Sequence, residues 1–122
     1  MLIAARILTG LLALIALGTG LKGSFSGLEV EATAVVDNTF RYYAGVWAGV
    51  GVGLAYCVAY MPQATDLLRF LMLAIFIGGI ARAIGLTTYE VVERKIFVGI
   101  LIETIVPLLV VGLQYAATNA SN

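Results

Sequence analysis

Four uninterrupted apolar runs, each about 20 residues long, constrain the fold of this chain more than any other feature. They lie at residues 2–21, 42–61, 67–86 and 96–116. A helix that spans a bilayer needs about 20 mostly apolar residues, and these runs lack the alternation of barrel strands. The sequence therefore predicts an all-α integral membrane protein, an antiparallel four-helix transmembrane bundle that forms a single membrane domain over residues 1–122.

The composition supports a membrane environment and excludes several classes of function. Of 122 residues, 61% are apolar and 11% are charged, with seven basic and seven acidic side chains. A soluble domain of this length cannot bury so much apolar surface, so the lipid bilayer is the expected partner. The sparse, balanced charge excludes a nucleic-acid-binding surface. Since the chain has no histidine and one cysteine, Cys57, we expect no metal site, no haem and no other cofactor.

The connections between the runs differ in length and composition. Residues 22–40 form the longest one, and their mixture of small polar and apolar side chains is compatible with a short helix lying on the membrane surface. Asp37 and Asn38 are expected to cap the second helix, and Pro62 to end it. Four spans put both termini on one side of the membrane and the connections at 22–40 and 87–95 on the other.

Three charged side chains occur where lipid should not tolerate them. A charge at the bilayer centre costs about 2.5–3.5 kcal/mol on insertion scales, so each one needs a partner or a wet cavity. Glu103 lies about 10 Å deep in the fourth run and Arg82 about 6 Å deep in the third, at a rise of about 1.5 Å per residue. Arg41 lies at the start of the second run. Antiparallel threading predicts an Arg82–Glu103 ion pair, with Arg41 as a neighbour or competitor.

Pro107 adds a second polar feature to the same level of the fourth run. Proline has no N–H, so the carbonyl of Glu103, four residues earlier, loses its helical partner, and a kink is expected there. Guanidinium groups of Arg82 or Arg41 could donate to this carbonyl and carboxylate, and Asn38 could orient Arg41. The cluster is either a structural clasp that ties helices together or the wall of a ligand pocket.

Small residues recur at helical spacing along the predicted spans. Glycines four residues apart make two overlapping G-x-x-x-G motifs, and small residues let helix backbones approach closely in lipid. We expect these stripes to face the interior of the bundle or a partner helix. The residues concerned are Gly45, Gly49 and Gly53 in the second run, Gly78 one turn before Arg82, Gly99 one turn before Glu103, and Thr9, Ala13, Ala16 and Gly20 in the first run.

The run Asp37-Asn38-Thr39-Phe40-Arg41-Tyr42-Tyr43-Ala44-Gly45 resembles the N-x-F-R-[FY]-[YL]-A-G signature of a family of small bacterial four-span proteins of unknown function. The stretches Gly78-Gly79-x-x-Arg82 and Glu103-x-x-x-Pro107 are similar to the third and fourth spans of that family. The resemblance covers most of the chain from Asp37 onward. It implies a bacterial inner-membrane location and one cluster of Asn38, Arg41, Arg82 and Glu103, and it supplies no reaction, substrate or cofactor.

Two functions from different classes compete. Glycine stripes and short loops favour a non-enzymatic accessory subunit that packs against other membrane protein subunits, or a homo-oligomer. The alternative is binding or transport of a small amphiphile, such as a quinone or lipid, at the intramembrane Arg/Glu cluster. An enzyme ranks below both, since no nucleophile–base pair or metal set accompanies Glu103.

Overall fold

The computed structural model describes residues 1–88 and 93–120. Within them the chain forms four α-helices and no strand, and a short 3₁₀ helix (Leu86–Thr88) follows the third. The helices are α1 (Leu2–Ser26), α2 (Ala34–Tyr60), α3 (Thr65–Gly85) and α4 (Arg94–Asn119). All four are long and apolar enough to cross a membrane. The predicted fold class, an all-α helical bundle, is confirmed.

The chain divides into two compact units. The first unit contains Thr9–Ala64, that is, most of α1 together with α2. The second unit contains α3 and α4, together with Met1–Leu8 at the start of α1. Each unit is built around an antiparallel pair of helices. The contacts that hold α1 to α2 differ in kind from those that hold α3 to α4.

In the first unit, glycines on both helices bring the backbones of α1 and α2 together. A Cβ atom placed on Gly20 would lie 2.5 Å from the backbone nitrogen of Ala48, and one on Gly51 would lie 2.8 Å from that of Leu17. Near the other end of the pair, Gly10 faces Val58. As residue numbers increase along α1, the residues of α2 that they contact have decreasing numbers. The pair is therefore antiparallel.

In the second unit, α3 and α4 pack through larger side chains. Gly79 lies against Glu103 and Thr104, and the start of α3 meets the end of α4 at Gln114. The buried side chains between these two points are mostly large and apolar: Leu68, Met72 and Ile75 from α3, and Pro107 and Val110 from α4. This pair is also antiparallel.

The connection between α1 and α2 corrects the prediction for residues 22–40. No separate surface helix occurs there, because α1 continues to Ser26 and α2 already begins at Ala34. Gly27 follows the end of α1 with φ of +69°, a left-handed conformation that favours glycine, and donates its N–H to the carbonyl of Gly23. Both helices thus extend beyond their apolar parts by about one turn or more.

The N-cap of α2 also differs from the prediction. Thr33 occupies that position, and its hydroxyl accepts a hydrogen bond from the N–H of Val36 at 3.4 Å. Asp37 lies inside the helix instead, where its carboxylate accepts the N–H of Leu28 from the connection at 2.9 Å. Asn38 is exposed. The prediction is wrong because Asp37, Asn38 and Thr39 are polar like a loop, although they lie in the first two turns of α2.

α4 continues through Pro107 without interruption, and the proline ring is buried. The residues before the described start of α4 include Glu90, which lies outside the described part of the chain. α2 ends at Tyr60, just before the cis Met61–Pro62 peptide, as the position of Pro62 predicts.

Candidate functional site

Arg82 and Glu103 form an ion pair within the second unit. Arg82 Nη1 donates to Glu103 Oε1 at 2.6 Å, and the side chains are 44% and 18% exposed. Two glycines make room for the pair. A Cβ on Gly79 would lie 3.0 Å from the Cβ of Glu103, and one on Gly99 would lie 3.2 Å from the guanidinium nitrogens of Arg82. The close approach of α3 and α4 at these glycines therefore brings the two side chains within contact distance.

The second carboxylate oxygen of Glu103 is unsatisfied. Oε2 is buried and has no hydrogen-bond partner in the part of the chain that the structure describes. The neighbouring hydroxyl of Thr104 does not serve it, because that hydroxyl donates to the carbonyl of Ile100 at 2.8 Å. Buried polar atoms are nearly always hydrogen-bonded, so Oε2 is a candidate acceptor for a donor outside the chain.

Arg41 has its own partners in the first unit. Its Nε donates to Asp37 Oδ2 at 2.7 Å, and its Nη1 donates to the carbonyl oxygens of Ser24 at 3.1 Å and Phe25 at 2.8 Å. These carbonyls belong to the last turn of α1, where a cation also interacts favourably with the helix dipole. Arg41 thus ties the end of α1 to the start of α2. That Arg41 and Asn38 join Arg82 and Glu103 in one cluster stays a prediction.

The glycines of the predicted stripes differ in their surroundings. Gly99 touches Arg82, but a Cβ on Gly49 or Gly78 would meet nothing within 4 Å, and one on Gly45 would meet only the hydroxyl of Ser24, at 3.6 Å. Gly45 and Gly49 are exposed and Gly53 is half-buried. The tight helix contacts occur at Gly20, Gly51 and Gly79 instead. The stripe in α1 is buried along its length, at Thr9, Ala13, Ala16 and Gly20.

Sequence reasoning missed a polar link at the opposite end of the second unit. Arg69 Nε donates to Gln114 Oε1 at 3.1 Å, and Gln114 Nε2 donates to Thr65 Oγ1 at 3.0 Å. Gln114 is only 2% exposed. A glutamine inside an otherwise apolar run was the available signal, because a buried amide needs partners for both its donor and its acceptor.

The relationship of the chain to known proteins rests on one match. A model of a family described as a domain of unknown function, DUF4345, matches residues 4–114. The chain belongs to the DUF4345 family. Comparison with curated proteins found no match, and neither did comparison with solved structures.

The DUF4345 match covers both units and extends from the start of α1 to Gln114, so it includes the Arg82–Glu103 pair and the Arg69–Gln114–Thr65 link. Among the described residues of this DUF4345 protein, no group of three or more His, Cys, Asp or Glu side chains could hold a metal ion. Its polar features in the described residues include the Arg82–Glu103 ion pair, the Arg69–Gln114–Thr65 link and the contacts of Arg41.

Proposed function

We propose that this chain is a non-enzymatic integral membrane protein of the bacterial inner membrane that assembles with other transmembrane helices, in a homo-oligomer or as an accessory subunit. The observation that carries the proposal is the unpacked face of α2. Gly45 and Gly49 are exposed, and Gly49 has no neighbour that a Cβ would meet within 4 Å.

α2 carries small residues on two faces, and they have different surroundings. Ala44, Ala48 and Gly51 are buried and contact α1, which they allow to approach closely. Gly45 and Gly49 are exposed, although they have the same four-residue spacing that drives close helix packing in lipid. Helix association in lipid depends on van der Waals packing and hydrogen bonds. The groove at Gly45 and Gly49 would lack that packing if it faced only fluid lipid.

Aromatic side chains extend the same face toward both ends of α2. Tyr42 precedes Gly45 by three residues, and Tyr56 follows Gly49 by seven, spacings that place them on one side of a helix. Both rings are more than half exposed, and Tyr56 contacts the ring of Tyr60 with 4.6 Å between centroids. Tyrosines beside a glycine groove give a partner helix both area and hydrogen-bonding groups.

The experiment compares Gly49→Leu with Gly18→Leu in protein isolated from its membrane in mild detergent. Both glycines are exposed and open, but Gly18 lies on α1. We expect wild type and Gly18→Leu to sediment as the same oligomer or with the same co-isolated subunit, and Gly49→Leu to assemble about tenfold more weakly, a shift of about 1.4 kcal/mol in the free energy of association. A wild-type monomer with no co-isolated protein, or an unchanged Gly49→Leu assembly, would contradict the proposal.

A second candidate, binding or transport of a small amphiphile such as a quinone or lipid at Arg82 and Glu103, is favoured by the unsatisfied Oε2 of Glu103. A hydroxyl of the amphiphile would donate to this oxygen, and the partly exposed guanidinium of Arg82 would donate to a carbonyl. Native mass spectrometry after gentle extraction would then detect a small molecule that Arg82→Ala loses and Arg94→Ala keeps. Protein without any bound molecule in both wild type and Arg94→Ala would refute this candidate.

A further inference from the structure

A groove of about 320 Å³ lies between α3 and α4 in the second unit, away from the Arg82–Glu103 pair. Its volume is near the lower end of the range of ligand pockets, about 300–1,000 Å³. One charged side chain, Arg69, lines it, and its other walls are apolar: Met72, Leu73, Phe76, Pro107, Leu108 and Val111. The groove thus combines a long apolar surface with a single cation.

The guanidinium of Arg69 is held in place by a buried glutamine and keeps donors for a ligand. Gln114 is 2% exposed and accepts from Arg69 Nε, while its own amide nitrogen donates to Thr65. This link orients the guanidinium. Within the described residues, its terminal nitrogens make no hydrogen bond, and Asp66, one turn earlier on α3, forms no ion pair with it. Among the residues that the structure describes, Arg69 therefore has no counter-ion.

The position of Arg69 along α3 matches the architecture of a lipid. It lies four residues after the first residue of α3, about 6 Å along the helix at about 1.5 Å per residue. Phe76, at the other end of the α3 wall, lies about 10 Å further along. Arginine near the end of a transmembrane helix extends its charged group to the membrane interface. The cation then lies at headgroup level and the apolar walls at acyl-chain level.

We propose that this groove binds an amphiphile with one acidic headgroup, its carboxylate or phosphate on Arg69 and its acyl chain against the walls from Met72 to Val111. A guanidinium donates two parallel hydrogen bonds to either anion, and such charge-assisted pairs are the strong ones. The inference does not depend on assembly through α2, because the groove and the α2 stripe belong to different units.

The test uses delipidated protein in a neutral detergent and counts bound adducts by native mass spectrometry. The probes are oleate, oleoyl-lysophosphatidylglycerol and the neutral monooleoylglycerol, which share one acyl chain. We expect an acidic probe to bind wild type at least about tenfold more tightly than the neutral probe, since a hydrogen bond to a charged group is among the stronger ones. Binding of oleate but not of the lysophosphatidylglycerol would indicate a fatty acid as the natural ligand. Binding of the lysophosphatidylglycerol but not of oleate would indicate a phospholipid.

Matched variants separate the groove from general attraction of anions. Arg69→Gln removes the cation and should lose that preference, whereas Arg94→Gln removes an exposed cation outside the groove and should keep it. Leu108→Trp fills the groove and should release all three probes, whereas Leu109→Trp, at an exposed residue outside the lining, should not. The proposal would be overturned if Arg69→Gln and Arg94→Gln weakened the binding of the acidic probes equally, or if wild type bound the neutral and acidic probes equally.

Discussion

The two units hold their helix pairs together in different ways. In the first unit, α1 and α2 approach at glycines, and added Cβ atoms would meet backbone atoms, as at Gly20 and Gly51. In the second unit, the contact between α3 and α4 has a polar link at each end, Arg82 with Glu103 and Arg69 with Gln114. Large buried side chains fill the space between those links.

This difference reflects the two forces available to helices in lipid. Without a hydrophobic driving force, association depends on close van der Waals packing and on hydrogen bonds between helices. The first unit relies more on the packing, and its polar contacts include the bond from Trp47 Nε1 to Thr19 Oγ1 and those of Arg41 at the connecting end of the pair. The second unit relies more on polar contacts. The first should therefore be sensitive to side-chain size and the second to the loss of polar groups.

The largest expected effect is that of Gly20→Ala. Its new Cβ would lie 2.5 Å from the nitrogen of Ala48 and 2.7 Å from the carbonyl oxygen of Ala44, and neither backbone atom can move without displacing α2. We expect the free energy of unfolding in mixed micelles to fall by about 2–3 kcal/mol, at the upper part of the range for overpacking. Gly18→Ala, which meets nothing within 4 Å, should leave it unchanged.

The equivalent change in the second unit sharpens the comparison. In Gly79→Ala the new Cβ would lie 2.8 Å from Cγ2 of Thr104, 3.0 Å from Cβ of Glu103 and 3.1 Å from the backbone carbon of Glu103, so its closest backbone contact is longer than the 2.5 Å at Gly20. The loss should therefore be smaller, about 1 kcal/mol. If the free energy of unfolding fell more in Gly79→Ala than in Gly20→Ala, sensitivity to side-chain size would not distinguish the two helix pairs.

The glycines also show how far the sequence alone could lead. Hydropathy predicts all four helices, because about 20 apolar residues in a row have few alternatives to spanning a bilayer. It does not determine which glycines pack inside. α2 has small residues on opposite sides, with Gly45 and Gly49 on one and Gly51 on the other, and both sides have helical spacing. Only the partner helix, with Leu17 against Gly51, distinguishes them.

Charges were more informative than glycines. A buried charge is costly, so two opposite charges at the same depth in the membrane are expected to pair. The structure pairs Arg82 with Glu103. Arg69 was missed because it lies near a helix end, where an arginine needs no buried partner. Its contact, Gln114, carries no charge, and the depth argument therefore did not include it.

The next prediction concerns the coupling between Arg82 and Glu103. In a double-mutant cycle of Arg82→Leu and Glu103→Leu, the free energies of unfolding should show a favourable coupling of about 1–2 kcal/mol, as for contacting polar groups in a partly buried setting. The same cycle on Lys95 and Glu93, whose side chains are 80% and 65% exposed, should give a coupling near zero. Additive losses in the Arg82–Glu103 cycle would exclude a structural clasp and favour a role in ligand binding.

The smallest effect on global stability should come from Arg41→Leu, although Arg41 makes more hydrogen bonds than Arg82. Its bonds to Asp37 and to the carbonyls of Ser24 and Phe25 join the helix ends at the connection and do not hold the glycine contacts together. Helix ends open locally without global unfolding. The unfolding free energy should therefore change less than in Gly20→Ala, whereas amide exchange at Gly27 and Leu28 should become a few-fold faster.

Lys22→Leu provides the matched control, since it removes a cation from the same end of α1 whose pair with Glu29 is largely exposed. It should leave exchange at Leu28 unchanged, because the N–H of Leu28 is held by Asp37 and not by Glu29. If Arg41→Leu instead destabilised the whole protein as much as Gly20→Ala, the first unit would depend on polar contacts as much as the second. The contrast between size and charge would then fail, and Arg41 would have to act on more than the end of α1.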